Sequence, residues 1–193
     1  MTLITTTNEL VDACSLLSIA DYLTVDTEFM RETTFWPKLC LLQIAGPNHA
    51  FAIDPLAKNI NLEPVLKLLA DKSIPKVMLA ARQDMEIFYH LTGSLPQPLF
   101  DTQIAAMVCG FGDLGGYVSL VSNLYGTRID NSSRFTDWSR RPLSNEQLEY
   151  ALGDVTHLRP VYDKLLKRIE KTGRFEWIEE ENLPQSKLSL IHI

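Results

Sequence analysis

The chain has 193 residues, 46% of them hydrophobic, and 18 Lys and Arg against 24 Asp and Glu leave a formal charge of −6. Such a length and apolar content suit one soluble domain with a sizeable core, expected to span 1–193 with a motif-bearing core at about 20–170 and a tail, 171–193, of no assigned role. The acidic balance weighs against a broadly basic nucleic-acid surface, although bound divalent cations would reduce it and local charge counts for more than the total.

No apolar run approaches the roughly 18 residues that cross a bilayer, and Met1 to Leu10 lacks the basic-then-apolar layout of a signal peptide. A cytoplasmic protein with no membrane partner is therefore expected. Cys14, Cys40 and Cys109 are odd in number, far apart and set among apolar residues, which points to reduced, packed thiols rather than disulfides or a zinc site.

In chain order, Asn8 to Ser18 shows helical spacing, with Leu10, Cys14 and Leu17 on one side and Asn8 as a candidate cap. Leu23 to Phe29 reads as a buried strand ending in Asp26 and Glu28. After a Thr- and aromatic-rich loop, Leu39 to Ala45 and His49 to Ile53 read as strands around the turn Gly46-Pro47-Asn48, giving an antiparallel meander. Leu62 to Ala70 is a helix, Val77 to Ala80 a short buried strand and Asp84 to Leu91 a helix. Helical patterns follow at Thr102 to Val108, Gly116 to Tyr125 and Ser144 to Lys171, the last with a break expected near Pro160. Strands first and helices interleaved later imply an α/β fold, a mixed central sheet flanked by helices.

The chemistry concentrates on acids. Strand side chains repeat every two residues, so Asp26 and Glu28 point the same way. Two like charges near a core need a cation between them, and oxygen-only donors suit Mg²⁺ or Mn²⁺ rather than zinc. Taken alone, a D-x-E is more often a turn cap, here Asp26, followed by a solvent-facing acid, here Glu28. Asp84 falls in a helix's first turn, where the helix dipole stabilises a carboxylate. Tyr150 and Asp154 stack at i, i+4 on the last helix, whose start is set by a Ser144–Gln147 capping box. Two basic groups, Arg128, Arg134, Arg140 and Arg141, then Lys164, Lys167, Arg168, Lys171 and Arg174, fit either a solvated face or a phosphate track.

The runs Asp26 to Gln43, Ala81 to Asp84, Phe100 to Ala106, Asp137 to Leu143 and Tyr150 to Val155 resemble, in order, the motifs of ribonuclease D, a DEDD exonuclease family, in the branch whose last motif carries tyrosine. The resemblance implies a ribonuclease-H-like fold and a metal-dependent 3′-to-5′ exoribonuclease that releases nucleoside 5′-monophosphates, with tRNA or other stable RNA ends as substrates. It assigns metal binding to Asp26, Glu28, Asp84 and Asp154, and placement of the attacking water to Tyr150. Two divalent ions, Mg²⁺ or Mn²⁺, would stabilise charge on the entering and leaving oxygens. Thr27, Phe29, Trp36, Gln43 and Arg141 are the expected substrate contacts, Trp36 or Phe35 by stacking on a base. His157 is read as a packed helix residue. The partner is RNA with a single-stranded 3′ end. Single-stranded DNA stands as an alternative substrate, and a catalytically silent RNA-binding module as an alternative of another class, which does not need all five site residues. The chain departs from the family pattern at Leu79, where histidine is common, and at Asn131, where lysine is. Larger members continue into helical HRDC domains, whereas about thirty residues follow Tyr162 here.

Overall fold

The computed structural model describes residues 3–31, 35–111, 136–174 and 176–178. Its elements are β1 (Leu3–Ile4), α1 (Thr7–Leu17), β2 (Leu23–Met30), β3 (Lys38–Ala45), β4 (Ala50–Ile53), α2 (Glu63–Ala70), β5 (Lys76–Met78), α3 (Arg82–Thr92), β6 (Leu99–Asp101), α4 (Thr102–Val108) and α5 (Asn145–Thr172). The six strands form one mixed sheet in the order β1-β4-β3-β2-β5-β6. The expected meander is present, because β2, β3 and β4 pair antiparallel through short connections. β5 and β6 join parallel to β2, as strands reached through helices do. The two-residue β1 and the three-residue β6 are too short to show a period.

Alternation on β2 divides its side chains between two cores. Leu23 and Val25 face helices α1, α2 and α3 with Leu42, Ile44, Phe51 and Ile53. The opposite face meets α5, where Leu41 and Ala52 pack against Ala151 and Leu152. A helix covering each face leaves the middle strands buried on both sides, which is why β3 reads as a near-continuous apolar run.

Several boundaries differ from expectation for local reasons. α1 is capped by Thr6, not Asn8, through a capping box with Glu9. The Ser144–Gln147 box opens α5 as expected, but α5 continues through Pro160 to Thr172. Pro160 is exposed, whereas Val155, Leu158, Val161 and Tyr162 around it are buried, so core packing holds the helix across the missing N–H. The segment Gly116 to Tyr125, Arg128, Asn131, Arg134 and residues 179–193 lie outside the described residues. No helix among the described residues is long and apolar enough to cross a membrane. Cys14, Cys40 and Cys109 are free thiols.

Candidate active site

The site is assembled where β2, the start of α3 and the body of α5 converge. Thr24 begins the arrangement: it is fully buried on the α5 side of β2, and its hydroxyl donates to the Val155 carbonyl at 2.7 Å. That bond ties β2 to α5 beside Asp154. Two residues further along β2, on the same face, stands Asp26, and then Glu28. Ligand oxygens of Asp26, Glu28 and Asp154 come within 4.8 Å of one another, and all three side chains are half-buried. A bulge between Glu28 and Phe29 shifts the β2–β3 register directly after the acids, the place where a strand is locally twisted and its side chains re-aimed.

Asp84 enters from the other side. The strand-to-helix turn that carries it includes Ala80 in the left-handed region at φ 52, a conformation that a residue with a Cβ adopts at a cost. The Asp101 carboxylate braces that turn by accepting from the backbone N–H groups of Ala80 at 3.0 Å and Ala81 at 2.9 Å. Buried Thr27, pointing away from Asp26, donates its hydroxyl to Asp84 Oδ1. The strand thus feeds both halves of the site, with Asp26 and Glu28 on one face and the Asp84 support on the other.

The electrostatics follow. Burial raises the Asp26 carboxyl well above the usual carboxylate range, and the negative charges of Asp84, Asp154 and Glu28 push it further. Burial likewise pushes Asp84 up to about 7, against the pull of the Thr27 hydrogen bond. Negative charge is therefore concentrated faster than the protein compensates it. All the donors are oxygens, the set that fits a hard divalent cation, so the residues present suit a Mg²⁺- or Mn²⁺-type ion. Tyr150 lies one turn before Asp154, its ring centroid 6.1 Å from that of Trp138. His157 is exposed and lies over Gly153 rather than joining the acid cluster.

The expected substrate contacts are placed differently from one another. Trp36 stacks on His90 at 4.9 Å between centroids, with exposed Phe35 edge-on to it at 5.1 Å. Phe29 is half-buried in β2 opposite Leu39. Thr27 spends its hydroxyl on Asp84. Gln43, read as a strand residue that reaches a ribose or phosphate, lies in β3 as expected but has no exposed surface. Arg141 is consumed by packing: it forms a two-pronged bond to buried Asp54 at 2.7 Å each and donates to the carbonyls of Cys40, Trp138 and Arg140. Its planar fork is matched to Asp54 rather than to a phosphate. Of the other basic residues, Arg168 lies over Phe111, while Arg174 lies over Trp177 and donates to the Val108 carbonyl. Thr24 and Asp101, the braces, were not singled out from the sequence. An apolar strand start and a lone acid carry no signal of a bond made across the fold.

A family model described as 3′-5′ exonuclease matches residues 1–170. The chain is 55% identical over 180 residues to ribonuclease D of Granulibacter bethesdensis, a match covering 93% of this chain and 46% of that protein. It thus spans about half the length of the curated relatives it matches. Among solved structures, the crystal structure of Escherichia coli RNase D, an exoribonuclease involved in structured RNA processing, superposes with a TM-score of 0.93 at 35% identity, over 100% of this chain and 51% of that one. Brucella melitensis NrnC is matched nearly whole: its structure with pGG superposes with a TM-score of 0.79 at 30% identity over 99% of this chain and 94% of that one. Its structure with Mg²⁺ gives 0.77 at 29%.

Proposed function

Because the chain belongs to the 3′-5′ exonuclease family, among its ribonuclease D members, we propose that it hydrolyses RNA from the 3′ end, one nucleoside 5′-monophosphate at a time. The observation that carries this reading is the meeting of Asp26, Glu28 and Asp154 within 4.8 Å, from two elements distant in sequence. Asp26, Glu28 and Asp154, with Asp84 beside them, would hold two divalent ions. When bound, such ions supply stabilisation of charge on phosphoryl oxygens and lower the pKa of water. Tyr150 orients the attacking water; a phenol that titrates near 10 when free is a poor base at neutral pH and a good hydrogen-bonding guide. The water oxygen bonds to phosphorus, the bond from phosphorus to the 3′ oxygen breaks, and the shortened strand keeps a 3′ hydroxyl. Trp36 and exposed Phe35, between β2 and β3, offer rings to a nucleobase. The free thiols suit action in the cytoplasm.

A second reading narrows the substrate to very short oligonucleotides. It is favoured by the near whole-length match to NrnC, which has been solved with pGG.

Incubation of 5′-labelled RNA, DNA and dinucleotide with Mg²⁺, Mn²⁺ or EDTA tests both. The expected result is a ladder shortening from the 3′ end of RNA, with 5′-monophosphate products and no activity in EDTA. Internal cleavage, or full activity in EDTA, overturns the first reading. Preference for long RNA over the dinucleotide overturns the second, and faster cleavage of single-stranded DNA than of RNA moves the substrate to DNA.

A further inference from the structure

Gln43 is fully buried, and neither its amide oxygen nor its amide nitrogen has a hydrogen-bond partner. Among the described residues, only the Trp138 indole N–H shares that condition. Folded proteins pair nearly all such groups, and an unpaired one marks a strained or functional place. The surroundings show which. In the β2–β3 ladder Gln43 stands directly opposite Asp26. Directly opposed residues project to the same face with Cβ atoms about 5 Å apart. On its other side Gln43 faces Ala52 of β4, and Ala52 packs with Ala151 of α5. Across the sheet Gln43 is thus flanked by Ala52 on one side and by the ionisable Asp26 on the other.

We propose that Gln43 is a positioning residue for Asp26: in the metal-loaded site its amide N–H donates to the Asp26 carboxylate, fixing which oxygen is presented to the cation. The inference rests on the metal-holding reading above. Outer partners of this kind orient a ligand without touching the metal. This role explains why an amide sits where Leu or Met would pack without an unmet polar group.

The test is Gln43→Met, which keeps length and volume and removes the donor. Mn²⁺ binding is measured by calorimetry, alongside melting in EDTA. The expected result is a metal Kd weakened about 10- to 100-fold, an EDTA melting temperature equal to or above wild type, and an unchanged KM for the oligonucleotide at saturating Mn²⁺. Should Met disturb the fold, Gln43→Asn, which withdraws the amide by one methylene, is expected to lose metal affinity at unchanged melting temperature. Wild-type Mn²⁺ affinity in a folded variant overturns the inference, as does a loss that appears only with a lowered melting temperature. Absence of Mn²⁺ binding by the wild type overturns the metal-holding reading itself, and this inference with it.

Discussion

Asp84 permits a quantitative test of how the site stores charge. Its side chain is 6% exposed, and burial pushes its carboxyl up to about 7 from 3.8. Between those values the folded chain holds a proton that the unfolded chain has already released. The folded state then binds more protons, so stability falls as pH rises through that window and is greatest below about 4. At about 1.4 kcal/mol per pH decade, the full loss is about 4 kcal/mol. Asp26, raised by the same burial and by its acidic neighbours, adds to the loss in the same direction. Asp84→Asn keeps an oxygen to accept from Thr27 and removes the charge. In EDTA at pH 8 this variant is expected to melt roughly 10 °C above wild type, at about 2 to 4 °C per kcal/mol for a domain of this size. The advantage should shrink toward zero near pH 4.5. Divalent metal should restore the wild type at pH 8 more than the variant, because the ion binds the ionised cluster. Melting curves from pH 4.5 to 8, with EDTA or Mg²⁺, give the answer. A wild-type protein in EDTA whose melting temperature is flat or rises over this range, or a variant with the same slope, would refute the reasoning.

Thr27→Val, which deletes the hydroxyl that donates to Asp84, leaves a buried carboxylate oxygen unpaired and is expected to cost about 1 to 3 kcal/mol and to lower kcat; Thr27→Ser should recover most of both, and an unaffected Val variant would show that Asp84 needs no such support. Arg141→Met strips buried Asp54 of its partner and is expected to cost about 3 to 5 kcal/mol in urea unfolding, whereas a variant of normal stability with weakened RNA binding would return Arg141 to the substrate. Asp154→Asn should weaken both metal affinity and turnover, while Tyr150→Phe should keep melting temperature and metal affinity and lose about 10² to 10⁴ in kcat at saturating metal. A metal titration of activity separates the two, and wild-type kcat in Tyr150→Phe would remove the tyrosine from the mechanism.

Local rules carried a large part of this protein. The two-residue period of a strand is enough to put Asp26 and Glu28 on one face, and a four-residue step on a helix is enough to stack Tyr150 on Asp154, because both follow from backbone geometry alone. The same locality made the meander and the Ser144 cap legible. What needed the folded chain is every relation between residues far apart in sequence. Pro160 looks like a helix break until the buried residues around it are seen to keep α5 continuous. Arg141 looks like a phosphate ligand until Asp54, 87 positions earlier, takes its guanidinium. Gln43 looks like a substrate contact until sheet register sets it opposite Asp26 with no surface exposed. Thr24 carries no local pattern, and Asp101 shows locally only a cap that accepts from the Gln103 N–H; the bracing that each supplies runs across the fold. Residue types and their spacing pointed to the acids proposed to carry the chemistry; only tertiary packing, which sets burial and long-range partners, decided which polar side chains remain available for it.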